Sequence, residues 1–537
     1  MHSVWAAVAL CLAAGIGVAL RPEPALAQSP AQPGSAAELT VVVGEVVVEG
    51  GFEELAPVTE ELANFFRGRR STAGELEALA FALEQLYQQA GYMLARVAIP
   101  PQEVTDGGTF HLLVIDGYIE AVHLDGVPSK ARPYLERLFG RLVNRSRLTA
   151  AEFERVVLLA RQAPGMTVRT TLVPGDGTGA AVLVVEAEHT AYSGSASFTS
   201  RLDVPNPAWA VAASVQLNQP FGRGEQISLH FSAPFSSLFP QPGVQGRRHS
   251  GGGTVTWPLN ADGLQLQVGF AASETYTPSP IWLIPPTVTR FQRVSAQVSK
   301  PVELAQDSEH RVSLALERID QVWEAPDFAA ELTRDDQVVA RLSTSLRRET
   351  PGGGSISLSW ELSQGVSGLS RSRAEAEASG VPFSQPSVNL DFHKVLFTAQ
   401  WRQPVSGGLL LTTAFRHQFA VAGPLPTTEL FSASGTGGVG SAALDGADNG
   451  WTWRSEVERS FALLEGRLRV SLSAWLAAGA SHNPGSGAMS GSFSGISVGG
   501  EMGAWRMTLD YSQGRVRGGT GPASYGEELQ AGVEVLF

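Results

Sequence analysis

The sequence predicts a mainly β protein, a 16-stranded antiparallel transmembrane β-barrel preceded by two periplasmic β-α-α-β-β modules. Three observations carry this prediction. From Tyr192 onward, apolar and polar residues alternate with a period of two over runs of roughly ten residues, bounded by Gly, Pro, Asn and Asp turns. Before that point the period is helical, and one helix-start signature occurs twice, at Thr72 and Thr149. Beyond the N-terminal run there is no stretch of 18 uninterrupted apolar residues, which excludes a helical membrane bundle but not a barrel.

Composition narrows the function classes. The chain has 537 residues, 43% apolar and 17% charged, enough to build several packed units and too apolar for whole-chain disorder. Its net charge is −13, and Lys130, Lys300 and Lys394 are its only lysines, so no basic tract exists for nucleic acid. The single cysteine, Cys11, lies in the N-terminal apolar run. A disulfide framework and a cysteine metal site are thereby excluded from the rest of the chain.

Val4 to Leu20 are apolar or small and lead to Ala25-Leu26-Ala27, the small-x-small pattern of a secretory cleavage site. Residues 1–27 therefore read as a signal peptide and 28–38, rich in Pro, Gly, Ser and Ala, as a flexible leader. Export of a thiol-free chain without a retention or lipidation signal points to the periplasm or outer membrane.

The two helical copies are expected at 39–118 and 119–190. Thr72-Ala73-Gly74-Glu75 and Thr149-Ala150-Ala151-Glu152 are capping boxes, in which hydroxyl and carboxylate each satisfy an orphan backbone N–H. Leu76, Leu79, Ala80, Leu83, Leu86 and Tyr87 form one buried stripe after the first box, and Phe153, Val156, Val157 and Ala160 after the second. Both helices stop at glycine, Gly91 and Gly165. Strands come next at Tyr92–Ile99 and Met166–Val173, then at Phe110–Asp116 and Ala181–Glu186. Leading strands at Val41–Val48 and Ile119–Leu124, and earlier helices at Glu53–Phe66 and Arg132–Leu142, complete each copy. Small sheets have open edges that accept an extended peptide by backbone pairing, the chemistry of a sequence-tolerant receptor, although a structural spacer has the same pattern.

Residues 191–537 read as the barrel, with strands centred near 198, 213, 229, 255, 268, 294, 314, 341, 358, 396, 413, 455, 472, 497, 508 and 532. Its polar face carries Glu317, Glu361, Arg467 and Arg469, as a watery lumen requires, and Trp257, Trp401, Trp451 and Trp505 sit near strand ends. The even count puts both barrel ends in the periplasm. The segment from Gly423 to Gly450, between strands eleven and twelve, then begins on the extracellular side, and its Gly435, Gly437, Gly438 and Gly440 make it pliable enough to fold back into the lumen.

Gly91-Tyr92, Ile99-Pro100-Pro101-Gln102, Asp106-Gly107 and Asp116-Gly117-Tyr118-Ile119-Glu120 resemble the first POTRA module of the outer-membrane transporters of two-partner secretion, of the haemolysin secretion/activation type (TpsB). The resemblance covers essentially the whole mature chain. It implies two POTRA modules that bind the N-terminal secretion domain of a secreted exoprotein, and a barrel that exports this partner without ATP. It further implies contact with outer-membrane lipid, insertion by the barrel-assembly machinery, and partner-binding positions at Tyr92, Leu94, Ile99, Pro100, Pro101, Gln102, Asp116 and Gly117. In the family, the sixth extracellular loop has a Val-Arg-Gly-aromatic tip whose arginine meets an aspartate on strand thirteen. The corresponding loop-gate positions are Gly437, Gly438, Val439 and Gly440, opposite Trp475, Ala477 and Gly479. Both the arginine and the aspartate are absent, and the family's N-terminal plug helix has no counterpart in 28–38. Val516-Arg517-Gly518 lies in the last loop by this reading and is a coincidental match.

No enzyme is expected, and no cofactor or metal. Gly435 to Gly440 match G-x-G-x-x-G without the strand and helix of a dinucleotide site, and no zinc-protease, nucleophile-elbow or P-loop pattern occurs. The sequence therefore points to an outer-membrane translocator of an exoprotein. A POTRA-barrel insertase and a passive porin or adhesin scaffold are the alternatives.

Overall fold

The computed structural model describes residues 40–201, 209–235, 247–279, 284–385, 387–388, 390–433, 438–439, 444–483, 487–518 and 524–537. The signal peptide, the leader, Gly437 and Gly440 lie outside the described residues. The chain divides into two compact units, one running to Leu86 with Val97–Ile115, the other comprising Tyr87–Arg96 and Asp116–Phe537.

The first module contains β1 (Thr40–Glu49), α1 (Ala56–Asn64), β2 (Arg70–Thr72), α2 (Ala73–Gln89), β3 (Arg96–Ala98) and β4 (Gly108–Ile115). The sheet order is β2-β1-β4-β3, with β1 parallel to β4 and antiparallel to β2. The predicted box is present: the Glu75 N–H donates to Thr72 Oγ1 at 3.1 Å, and the Thr72 N–H donates to Glu75 Oε2 at 2.8 Å. Leu76, Leu79 and Leu83 of the predicted stripe are buried. The strand expected at Tyr92–Ile99 shrinks to three residues for a local reason. Gly91, at φ +98°, ends α2 in a Schellman motif, with the Tyr92 N–H bonded to Tyr87 O and the Gly91 N–H to Gln88 O, both at 3.0 Å. The N–H of Tyr92 is spent on the helix end, and Ala95 N–H turns back to Tyr92 O. β2, absent from the predicted order, is too short at three residues to show a period.

The second module contains β5 (Tyr118–Gly126), α3 (Arg132–Phe139), α4 (Ala150–Arg161), β6 (Met166–Pro174) and β7 (Ala180–His189), with sheet order β5-β7-β6. Ile119, Leu135, Phe139, Leu183 and Val185 are fully enclosed at its centre. α4 starts at the second predicted box, where Thr149 and Glu152 exchange backbone and side-chain hydrogen bonds. Burial, the largest single influence, pushes the Glu152 carboxyl up, but the hydrogen bonds from Thr149 and the neighbouring Arg145 together outweigh it and hold the group below the usual glutamate range. β6 is paired only on its β7 side, so its nine residues form an open edge.

The second module is bonded to turns of the barrel. Arg141 forms an ion pair with Asp262 at 2.7 Å, Arg155 donates to Pro301 O at 2.7 Å, the Gln306 N–H donates to Glu154 Oε1 at 2.7 Å, and Gln219 donates to Pro164 O at 2.9 Å. These contacts recruit three separate hairpin turns to one module, fixing it over one end of the barrel.

The barrel comprises β8 (Tyr192–Arg201), β9 (Trp209–Asn218), β10 (Gln226–Pro234), β11 (Arg247–Pro258), β12 (Gln265–Thr277), β13 (Thr287–Leu304), β14 (Ser308–Ala325) and β15 (Ala330–Thr350). It continues through β16 (Gly354–Gly365), β17 (His393–Val405), β18 (Leu409–Ala422), β19 (Asn449–Leu463), β20 (Leu468–His482), β21 (Met489–Met502), β22 (Trp505–Gly518) and β23 (Ser524–Leu536). All sixteen predicted centres fall inside these strands, and β23 pairs with β8 to close the cylinder. β13, β14 and β15 reach 18, 18 and 21 residues, well beyond the expected ten, while Arg467 lies in a turn instead of on the inner wall. Val516-Arg517-Gly518 ends strand β22 and is no loop tip.

Register assigns the faces. Leu314 is opposite Leu342, and Leu342 opposite Leu362, so these exposed leucines form one outward belt suited to lipid. The alternate residues Glu317, Arg341, Glu361 and Ser363 point inward. Among the described residues no helix is long and apolar enough to cross a membrane.

Candidate functional site

The described residues of the segment between β18 and β19 lie against the inner wall; Gly435, Gly437 and Gly440, on which the expected pliability rested, lie outside the described residues. Its descending arm runs through Thr427, Thr428 and Glu429. Thr428 accepts from Gln337 at 2.6 Å and Thr427 donates to Gln321 at 3.2 Å, both wall residues. Gln418 donates to the carbonyls of Glu429 and Asp448, tying the two arms of the loop to one strand. The Phe431 N–H donates to Ala447 O at 2.6 Å, the Gly446 N–H donates to Phe431 O, and Asp445 accepts from the Ala433 N–H, so the loop has its own internal bracing.

Two anchors of opposite chemistry hold this loop. The first is ionic. The Glu429 side chain, 1% exposed, receives Arg341 Nη2 at 2.6 Å and Lys394 Nζ at 2.7 Å. Arg341 also donates to Glu317 at 3.0 Å, to Glu361 at 3.3 Å and to Ser363 at 2.8 Å. Arg416 faces the same interior, and its Nε has no hydrogen-bond partner among the described residues.

The second anchor is apolar. Phe431, Ala433, Val439 and Leu444 of the loop pack with Trp475, Ala477 and Phe493 of the wall. Three of the predicted gate positions, Val439, Trp475 and Ala477, are thus brought together. Trp475 fits because Gly495 lies opposite it on β21; a Cβ there would overlap the indole. Gly479 leaves room for Leu444, and the Arg454 guanidinium stacks 4.1 Å from the Trp475 ring. Where the resemblance implies an arginine and an aspartate, this chain has a hydrocarbon contact. Replacing both members of a buried ion pair by packed apolar groups is close to neutral, whereas losing one member is costly.

The predicted partner-binding residues do not form one patch. Ile99 is exposed, and Gln102 uses both ends of its amide on the backbone of His111, donating to its O and accepting from its N–H at 2.8 Å each. Gln102 thereby acts as an extra rung on β4, which explains a glutamine after Pro100-Pro101 without any partner. Leu94 packs against the second module's core, and a Cβ on Gly117 would overlap the Leu94 carbonyl. Asp116 accepts the Arg147 N–H on both oxygens, at 3.0 and 3.1 Å. Tyr92 belongs to the helix-end motif. Glu429, Arg341 and Lys394 were not singled out as a site from sequence; the available signal was charge at inward parity, already visible for Glu317 and Glu361.

Comparison with known proteins fits this architecture. Residues 41–117 match the family model of the ShlB-type POTRA domain. Residues 296–502, spanning β14 to β21 and the entire lumen loop, match the haemolysin secretion/activation protein family ShlB/FhaC/HecB. The chain belongs to the TpsB transporters. A heme/hemopexin transporter protein, HuxB from Haemophilus influenzae (strain 86-028NP), is 23% identical over 304 residues, 53% of this chain and 53% of that protein. The chain thus spans about half the length of the curated relatives it matches. CdiB from Escherichia coli superposes with a TM-score of 0.73 at 17% identity, covering 95% of this chain and 93% of that one. CdiB from Acinetobacter baumannii gives 0.66 at 13% identity, covering 95% and 91%. These two structures share the fold.

Proposed function

We propose that this TpsB protein captures one exoprotein in the periplasm through its N-terminal modules and passes it, as an extended chain, through the barrel. The observation that carries the reading is the lumen loop, whose described residues are held against the inner wall by an ionic and an apolar set of side-chain contacts. Recognition falls to the modules. The edge strand β6 offers nine residues for backbone pairing, against three each for β2 and β3 at the edges of the first sheet. Edge pairing is tolerant of sequence, so selectivity for one partner rests with side chains of the first module, including Ile99 and Pro101, which are exposed. The outward leucine belt contacts outer-membrane lipid, and the barrel-assembly machinery inserts the strands. The HuxB relatives are described as heme/hemopexin transporters, which makes a haem- or haemopexin-related exoprotein the first cargo to test.

The test is secretion. Cells co-expressing this chain and a candidate exoprotein are expected to release that exoprotein into the medium, and cells lacking the chain to retain it in the periplasm. Retention despite correctly assembled barrel, for every exoprotein encoded beside the chain, contradicts the reading.

A further inference from the structure

We propose that Glu429 is the positioning residue that keeps the lumen loop seated, and that its buried carboxylate, gripped by Arg341 and Lys394, does by charge from the loop side what the absent arginine would do with the opposite sign. The inference rests on the barrel being a conduit, but not on any exoprotein passing through it.

The geometry separates this carboxylate from an ordinary wall charge. Glu429 comes from the loop, whereas both cations come from strands, Arg341 from β15 and Lys394 from β17. The two cations are not equivalent. Arg341 keeps Glu317 and Glu361 when the loop leaves, so it stays compensated. Lys394, 8% exposed, has Glu429 as its one carboxylate partner among the described residues, and also donates to the Glu429 carbonyl at 3.1 Å. Unseating the loop therefore strands one ammonium until water or another chain reaches it, which favours the seated state in an empty pore. A passing polypeptide can compensate Lys394 with its own carbonyl groups. The loop is held firmly at rest and released at low cost when the lumen is occupied.

The experiment is channel recording of the full-length protein in planar lipid bilayers, with heat-modifiable migration on gels as the check on barrel folding. Glu429→Gln keeps the size and some hydrogen bonds but removes the charge; open-channel events should become about tenfold more frequent, with Glu429→Asp restoring most of the closed time. In the Glu429→Gln background, Val439→Cys with Ala477→Cys supplies a tether inside the apolar anchor, and oxidation should return the channel to its closed level. Cys11, in the N-terminal run, is the only native cysteine. Should Glu429→Gln not assemble, Lys394→Met is read the same way, since Arg341 still compensates the carboxylate. A folded Glu429→Gln barrel with unchanged opening, or opening that the oxidised tether leaves unaltered, overturns the proposal. Failure of both Glu429→Gln and Lys394→Met to assemble also overturns it, by making the pair a folding element. Channel opening is read without any exoprotein present, so failure of the export reading remains distinguishable.

Discussion

Removing residues 41–117 is expected to cut release of the exoprotein into the medium by about 100-fold, because a receptor tethered beside a pore raises the partner's effective concentration there by such factors. The barrel itself should survive. The second module and the strands form one compact unit, with polar bonds from Arg141, Arg155 and Gln219 to backbone and turn residues within it. Within the deleted segment, Leu94 packs against the second module's core as a peripheral member, while Gly91 O and the Asp116 carboxylate accept the N–H groups of Ala150 and Arg147. The measurement pairs immunoblotting of the medium with heat-modifiable migration of the membrane-embedded chain. Export at the wild-type level by the truncated protein would move recognition to the second module.

The second large effect concerns the apolar anchor. Val439→Arg places a guanidinium among Phe431, Leu444, Trp475 and Phe493, where the loop's Asp445 carboxylate is already engaged by the Ala433 N–H. An uncompensated buried charge costs about 3–5 kcal/mol, more than the seated loop is expected to tolerate. The loop should be expelled, seen as protease cleavage from outside the cell and as a permanently open channel. Adding Ala477→Asp puts a carboxylate into the same cluster and should recover about 1–3 kcal/mol of that loss, a coupling read from a double-mutant cycle on loop accessibility. Additive effects of the two substitutions would mean that Val439 and Ala477 do not act together. Truncating Val439 to alanine is a milder control, because it removes packing without introducing a charge.

Much of the architecture was legible in the sequence because it obeys local rules. The Thr72 and Thr149 boxes are four-residue statements about helix ends, and both are realised. Alternation over about ten residues is equally local, which is why each barrel strand could be centred correctly. The misses occurred where one local rule overrode another. Tyr92–Ile99 has strand composition, but Gly91 diverts the first residues into a helix cap. The long β13–β15 hairpins exceed what a membrane crossing requires, so no span-length argument could set their ends.

The site was legible in outline only. Absence of the arginine and the aspartate could be read directly from Val439 to Ala442 and from Trp475 to Gly479. The ionic anchor of the loop could not, because Arg341, Lys394 and Glu429 meet through barrel register and loop folding across 88 residues of sequence. Parity identifies inward charges, but register decides which of them touch. Gln102 teaches the converse. A motif residue that looks like a contact surface is occupied with its own β4 strand.

The most direct measurement is in-cell photo-crosslinking from Trp475, replaced by p-benzoyl-phenylalanine, during synthesis of the exoprotein. Trp475 is 6% exposed and covered by the loop at rest, so it can reach a passing chain only if the loop has moved and the chain is inside the barrel. The account predicts an adduct between this position and the exoprotein during export, and crosslinks within the chain alone when no exoprotein is made. Exoprotein released into the medium with no adduct at Trp475, while the modules still crosslink to it, would contradict passage through this lumen.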